Sequence, residues 1–356
     1  MQDPAKPDNN RGSPATATIK LRDIAAATGY SINTVSHALK DKPDIAPATK
    51  ALICRNAREM GYIADALAGS LRSGRSRTIA VILGDMANPH FGLWVREIET
   101  AAFRQGICTL IVNTNEDERV ELEAVRTVIG KRVDGIIICP TQKGTDVLLA
   151  LKRSGTPFVL LGRSFGDPAV STVVADDTHG GFLATRHLLD QGCRSILLLN
   201  GPDWISSSRD RAAGYTQALH AAGLNGDARL IRPVDVKSGH CRQVLREVLA
   251  SGLSFDGIFA FSDLLALETL AVLPELLPGQ TVPVVGFDDI LAELHLPVSL
   301  VSIATDGQSL AGQALAVLLD QIEQQRTSGL RPQPIQMTVP VRLARHDRSG
   351  SATGKT

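Results

Sequence analysis

Asn33, Ser36 and His37 lie in the stretch "YSINTVSHALKDKPDIAP", residues 30–47, and the i, i+3, i+4 spacing puts them on one side of an amphipathic helix. Val35, Ala38 and Leu39 take the other side and can seat the helix on a small core. An amide, a hydroxyl and an imidazole can donate and accept hydrogen bonds, so this polar face is left free to touch a partner. Catalytic signatures are missing elsewhere: there is no P-loop, no G-x-S-x-G, no H-E-x-x-H and no His/Cys cluster with metal spacing. The expectation is therefore a non-enzyme with no cofactor and no metal. Cys54, Cys108, Cys139, Cys193 and Cys241 are odd in number and hold no C-x-x-C pair, which predicts buried thiols in a reducing cytoplasm rather than disulfides or a zinc site.

Three helical signals must position that face, at Leu21–Ala27, Ser31–Leu39 and Pro47–Met60. Gly29 breaks the first junction, Ser31 is a good N-cap, and Pro47 suits a first helical position although Ala46 before it is a poor cap. The formal charge of the chain is zero, yet residues 1–77 carry 12 Lys/Arg against 7 Asp/Glu, so a basic excess accompanies these helices. Residues 1–17 and 343–356 read as disordered tails. Neither a signal peptide nor a stretch of transmembrane length is visible, which predicts a cytoplasmic protein with no membrane partner.

From Thr78 the texture changes. "TIAVIL", "CTLIV", "DGIIIC", "PFVLL", "SILLLN", "DGIFAF" and "VPVVGF" read as buried strands that alternate with helical stretches such as Gly92–Gln105, Arg119–Lys131, Gly181–Gln191, Arg209–Ala222, Cys241–Ala250 and Leu264–Leu273. Such alternation implies parallel sheets covered by helices, and its length implies two similar lobes.

The head "TIKLRDIAAATGYSINTVSHALKDKPDIAPATKALICRNAREMGYIADALAGSLRSGRSRTIAVI", with "DMANPHF", "GPDWISSSRDRAAGY", "DGIFAFSDLLALETL" and "VVGFDD" after it, resembles the LacI/GalR family of bacterial transcriptional regulators. The resemblance runs from Thr18 to about Arg342. It implies an all-α helix-turn-helix head at 18–63, a hinge helix or linker at 64–77, and an α/β, two-lobed, periplasmic-binding-protein-like domain of doubly wound parallel sheets at 78–342. Residues 78–175 and 306–332 would form the N-terminal lobe, and 176–305 and 334–342 the C-terminal lobe.

The resemblance further implies a homodimer that binds double-stranded, pseudo-palindromic operator DNA, with Ser31–Leu39 as the recognition helix in the major groove. Ile32, Asn33 and His37 would read bases, with Ser36 on the same face and Ser31, Thr34 and Thr49 nearer the phosphates. His37 stands where Arg is most frequent and offers one donor or acceptor in place of a bidentate fork. In the hinge, Leu71 would wedge into the central step, with Arg72 and Arg75 on phosphates. Gly69 costs roughly 0.5–1 kcal/mol in a helix interior, so this segment would order only when two copies meet on DNA.

Between the lobes, His90, Phe91, Arg163, Arg211, Ser262 and Asp288 match the family's effector-contacting positions. Ser262 replaces a frequent Asn, His90 an aromatic, and the stacking aromatic expected near Val234 is absent. The expected effector is a sugar, polyol or sugar acid; these departures count against a planar purine or a stacked pyranose and favour a smaller or more polar ligand such as a sugar acid or an open-chain polyol. The alternatives are a purine- or other metabolite-responsive regulator with corepressor logic and a solute-binding protein, and the helix-turn-helix argues against the second.

Overall fold

The computed structural model describes residues 19–63, 74–236, 239–294 and 296–346. The chain divides into two units, the first ending at Ser73 and the second beginning at Gly74.

The first unit holds α1 (Leu21–Thr28), α2 (Ile32–Leu39) and α3 (Pro47–Glu59). Gly29 follows α1 at φ 72°, a left-handed position where glycine carries no Cβ penalty, and its N–H donates to Ala25 O at 2.9 Å. Ser31 then caps α2, its Oγ accepting from Thr34 N at 3.1 Å, whereas Ala46 leaves α3 without a side-chain cap. Ile24, Val35, Ala38, Ile53 and Ala57 close the core. Burial of each larger aliphatic among them stabilises the unit by roughly 1.5–3 kcal/mol.

The second unit contains two six-stranded sheets. In the first, β1 (Thr78–Leu83), β2 (Cys108–Asn113), β3 (Gly135–Ile138), β4 (Phe158–Leu161), β5 (Ser171–Ala175) and β11 (Gln336–Val339) run parallel in the order β11-β5-β4-β3-β1-β2. The second comprises β6 (Ile196–Asn200), β7 (Ile231–Pro233), β8 (Gly257–Ala260), β9 (Val284–Val285), β10 (Leu300–Thr305) and β12 (Val341–His346), ordered β12-β10-β9-β8-β6-β7. Here β12 runs antiparallel to β10, an edge strand added to an otherwise parallel sheet.

Helices α4 (Pro89–Arg104), α5 (Glu118–Gly130) and α6 (Asp146–Ser154) belong to the first lobe, and α7 (Asp177–Asp190), α8 (Ser206–Ala221), α9 (Cys241–Ala250), α10 (Asp263–Leu276) and α11 (Leu291–Leu294) to the second. The long α12 (Leu310–Ser328) returns to the first lobe and packs on β3, β4 and β5. Its close approach requires Gly135, where a Cβ would lie 2.8 Å from Ile322 and Leu318 carbons.

The lobe boundary at 332–334 is corrected. β11 pairs with β5 in the first sheet, so the chain crosses at Pro340, and the second lobe's last strand extends to His346. The cysteine expectation is corrected in part. Cys139, Cys193 and Cys241 are buried and Cys54 partly so, but Cys108 is exposed on β2, which has a neighbour on one side only. No described helix is long and apolar enough to cross a membrane.

Candidate functional site

In the head, Ser31, Ile32 and Asn33 are exposed at the start of α2, with Ile32 53% accessible, while Thr34, Ser36, His37 and Thr49 are half-buried. The core residues Val35 and Ala38 fix which side of α2 faces inward, so the polar side remains available. The loop between α2 and α3 adds a contact that the helix pattern does not announce. Asp44 Oδ2 lies 2.6 Å from His37 Nδ1, and this bond holds the Asp44 carboxyl below the usual carboxylate range. One ring nitrogen of His37 is thereby committed, and Nε2 is its remaining polar atom.

Leu71 and Arg72 lie outside the described residues. Arg75 falls in the second unit, with Nε 3.9 Å from Asp134 Oδ2. The same carboxylate accepts from Ser76 N at 2.7 Å and Arg77 N at 2.9 Å, tying the entry of β1 to the loop before β3.

His90, Phe91, Arg163, Arg211, Ser262 and Asp288 line one cavity of about 50 Å3 between the two lobes. All but Arg211, on the second turn of α8, come from a strand's carboxyl end or a helix start, where loops of parallel sheets converge. Asn88 caps α4 by accepting from His90 N at 3.1 Å and so aligns the His90–Phe91 pair. Arg211 is carried by α8, which packs backbone to backbone on α7. A Cβ at Gly181 would lie 2.2 Å from Arg211 O, and one at Gly214 2.0 Å from Thr178 O.

The Arg211 guanidinium is clamped on every side. Nε donates to Asp177 Oδ1 at 2.8 Å, Nη1 donates to the Phe261 carbonyl, and Nη2 lies 3.7 Å from Asp288 Oδ1. The rings of Phe261 and Phe287 stack over it at 4.4 and 3.5 Å. Two carboxylates thus share a single guanidinium charge. Burial, opposed by Arg211, pushes Asp177 up to about 6. Asp288 sits at φ 103°, a strained backbone for a residue with a Cβ. Buried Asp263 holds that loop, accepting from Ile290 N at 2.9 Å and Ser302 Oγ at 2.6 Å.

From the other lobe, His90 Nε2 approaches Asp288 Oδ1 at 3.9 Å, and burial, opposed by Asp288, pulls the imidazole below its ordinary value. Arg163 is committed to Glu116 through two bonds of 2.9 and 2.8 Å and donates to Pro140 O at 2.9 Å. Ser262 spends its Oγ on capping α10, accepting from Leu265 N at 3.3 Å.

Sequence reasoning missed Asp177, Asp263 and Glu116. The first two are helix-start acids, a position usually explained by the helix dipole. Glu116 follows Asn115, and both have positive φ in a tight turn. Among the described residues no group of three His, Cys, Asp or Glu is placed to hold a metal.

Comparison with known proteins agrees with this architecture. Residues 76–339 match the family model "Periplasmic binding proteins and sugar binding domain of LacI family", and residues 20–65 match "Bacterial regulatory proteins, lacI family". The regulator GalR of Escherichia coli K12 is 28% identical over 306 residues, covering 85% of this chain and 88% of the relative. The transcriptional regulator CelR in complex with cellobiose aligns with a TM-score of 0.66 at 25% identity, over 92% of this chain and 98% of that one. A Lac repressor dimer bound to operator and the anti-inducer ONPF shares the fold, with a TM-score of 0.77 at 23% identity over 93% and 99% of the two chains.

Proposed function

The chain belongs to the LacI family of bacterial regulatory proteins and is a DNA-binding transcriptional regulator with a sugar-binding-type domain; from that premise we propose that it is a cytoplasmic homodimeric repressor released by a neutral polyhydroxylated effector. The observation that carries this reading is Arg211 held between Asp177 and Asp288 in a cavity lined from both lobes. A guanidinium flanked by carboxylates offers donors and acceptors side by side, the pattern that neighbouring hydroxyls match.

Charge selects within the class. Asp85, Glu116 and Asp288 line the cavity with Arg163 and Arg211, and Asp177 stands behind. A sugar acid would add a negative charge to this excess, so a sugar or polyol fits better. Because the ligand would be gripped from both lobes, its binding changes the relative stability of the lobe arrangements, which is what an allosteric switch requires.

In the head, α2 offers Ile32, Asn33 and His37 to base edges, and two-fold symmetry of a dimer demands a pseudo-palindromic site. Ser31, Thr34, Ser36 and Thr49 flank that contact, and Leu71, Arg72 and Arg75 are assigned to the operator centre on sequence grounds alone.

A thermal-shift screen of sugars, polyols and sugar acids tests the effector class, since a ligand at 100 times its Kd adds about 2.7 kcal/mol. Stabilisation by neutral sugars or polyols, with release of operator by the same compounds, is the expected result. Stabilisation by sugar acids alone would contradict it. Footprinting should show two symmetric half-sites whose occupancy falls steeply with salt.

A further inference from the structure

His37 lies near the end of α2, and the loop that follows the helix returns to it. Its carbonyl accepts from Lys40 N at 3.2 Å and from Lys42 N at 3.1 Å, which winds the chain back over the helix end. Pro43 then fixes a backbone angle and Ile45 packs on the core of the head, so Asp44 is held from both sides. The loop thereby delivers Asp44 Oδ2 to within 2.6 Å of His37 Nδ1.

Donor and acceptor counting then decides where the ring carries its proton. The bond from His37 holds the Asp44 carboxyl below the usual carboxylate range, so the group is ionised and can only accept. Nδ1 must therefore be the donor. A neutral imidazole has a single N–H, so with that hydrogen on Nδ1 its Nε2 is an acceptor. The other tautomer would set the Nδ1 lone pair against a carboxylate. The remaining charges of the loop leave this pair intact, since Asp41 accepts from Lys50 Nζ at 2.7 Å and Lys42 attracts Asp44. The His37 side chain is 29% exposed, so Nε2 is open to a partner.

We infer that Asp44 determines base specificity through His37: by fixing the ring tautomer it makes neutral His37 select adenine or cytosine on the strand it faces. Adenine N6 and cytosine N4 donate in the major groove, whereas guanine O6 and thymine O4 accept and would meet the Nε2 lone pair. Without the carboxylate a neutral ring could present either a donor or an acceptor. Asp44 turns that ambivalent side chain into an acceptor alone, the opposite of the arginine fork that selects guanine. The inference rests on the assignment of His37 to a base edge and adds which bases it takes and which residue decides.

Competition binding by the full chain tests it, on an operator selected from random-sequence duplex DNA and then varied pair by pair. The measurements are made at about pH 9, where an ordinary imidazole is neutral. His37→Ala locates the pair, as the one position in each half-site that becomes indifferent to sequence. With both half-sites changed together, wild type should favour adenine or cytosine there over guanine or thymine by about tenfold or more, the worth of two ordinary hydrogen bonds. Asp44→Asn keeps the size of the side chain, but its amide can donate to Nδ1 as well as accept from it, so the preference should fall to about threefold or less. At every other pair this variant should discriminate as wild type does, which a damaged head would not. A preference for guanine or thymine at the located pair, or one that Asp44→Asn leaves intact, would overturn the inference while leaving His37 a base reader. Undiminished selectivity of His37→Ala at every pair would instead remove the base-reading assignment and the inference with it.

Discussion

The backbone N–H of Ser206, at the start of α8 in one lobe, donates to Gln142 Oε1 of the other lobe at 2.8 Å. Helix α8 has no side-chain cap of its own at Ile205, so the opposite lobe satisfies one of its orphan donors. Gln142 Nε2 also donates to Ser164 O at 2.7 Å, and Ser164 N donates to Ser206 Oγ at 3.0 Å. The three residues form a latch across the cleft. Arg96 and Glu293, 2.6 Å apart, form a second and exposed crossing.

Gln142→Ala should loosen the latch and favour separated lobes. At roughly 0.5–1.5 kcal/mol net per hydrogen bond, losing the one bond of this side chain that crosses the lobes, from Ser206 N, should raise the effector concentration for half-maximal operator release about two- to tenfold. Arg96→Ala should do far less, since exposed pairs contribute about 0–1 kcal/mol. Operator titrations against effector measure both, and an unmoved midpoint in Gln142→Ala would show that the latch plays no part in the switch.

Asp288→Asn and Arg211→Ala should differ, although both alter the same contact. Asp288→Asn should retain operator binding and lose the effector response. Arg211→Ala leaves Asp177 buried without its partner, a defect worth about 3–5 kcal/mol, so it should lower the melting temperature as well. Melting curves beside operator titrations check this. An Arg211→Ala variant as stable as wild type would mean that Asp177 finds another partner.

These two residues also show what a single sequence makes visible. Arg211 and Asp288 were legible because they sit in motifs, and the strongly apolar runs marked β1 to β4, β6, β8 and β9. β5, β7, β10, β11 and β12 were not singled out. "IRP" and "QMTV" are short edge segments, and β12 is buried only at Val341 and Ala344, so none of the three forms a continuous apolar run. Asp177, Glu116 and Gln142 were invisible for another reason. Their roles depend on partners 34, 47 and 64 residues away, which no local pattern encodes.

Acid should stabilise the second unit through Glu121. This residue is fully buried, accepts from Thr141 N at 2.8 Å and Thr141 Oγ at 2.9 Å, and is pushed by burial from 4.5 up to about 7. A carboxyl whose folded value is raised contributes stability below the unfolded value and loses it as pH rises through the folded one. The loss therefore falls between about pH 4.5 and 7 and amounts to roughly 3 kcal/mol. Asp177, raised to about 6, adds to it in the same direction. Melting temperatures from pH 5 to 8 should fall more steeply in wild type than in Glu121→Gln, and parallel curves would exclude this carboxyl as the cause.

The His37–Asp44 bond makes a prediction about how the head reads DNA. With Nδ1 engaged by Asp44, only Nε2 remains for a base edge. A neutral ring would accept from adenine N6 or cytosine N4, and a protonated ring would donate to guanine. Either choice gives one hydrogen bond and not a bidentate pair, so His37→Ala should cost about 0.5–1.5 kcal/mol of discrimination at one base pair of each half-site. The dependence of affinity on salt should stay as in wild type, because no phosphate contact is lost. Asp44→Ala should reproduce part of the loss, since it frees the ring without removing it. Competition binding with every operator position varied separates the outcomes. A uniform loss across all sequences, with a shallower salt slope, would place His37 on the phosphate backbone.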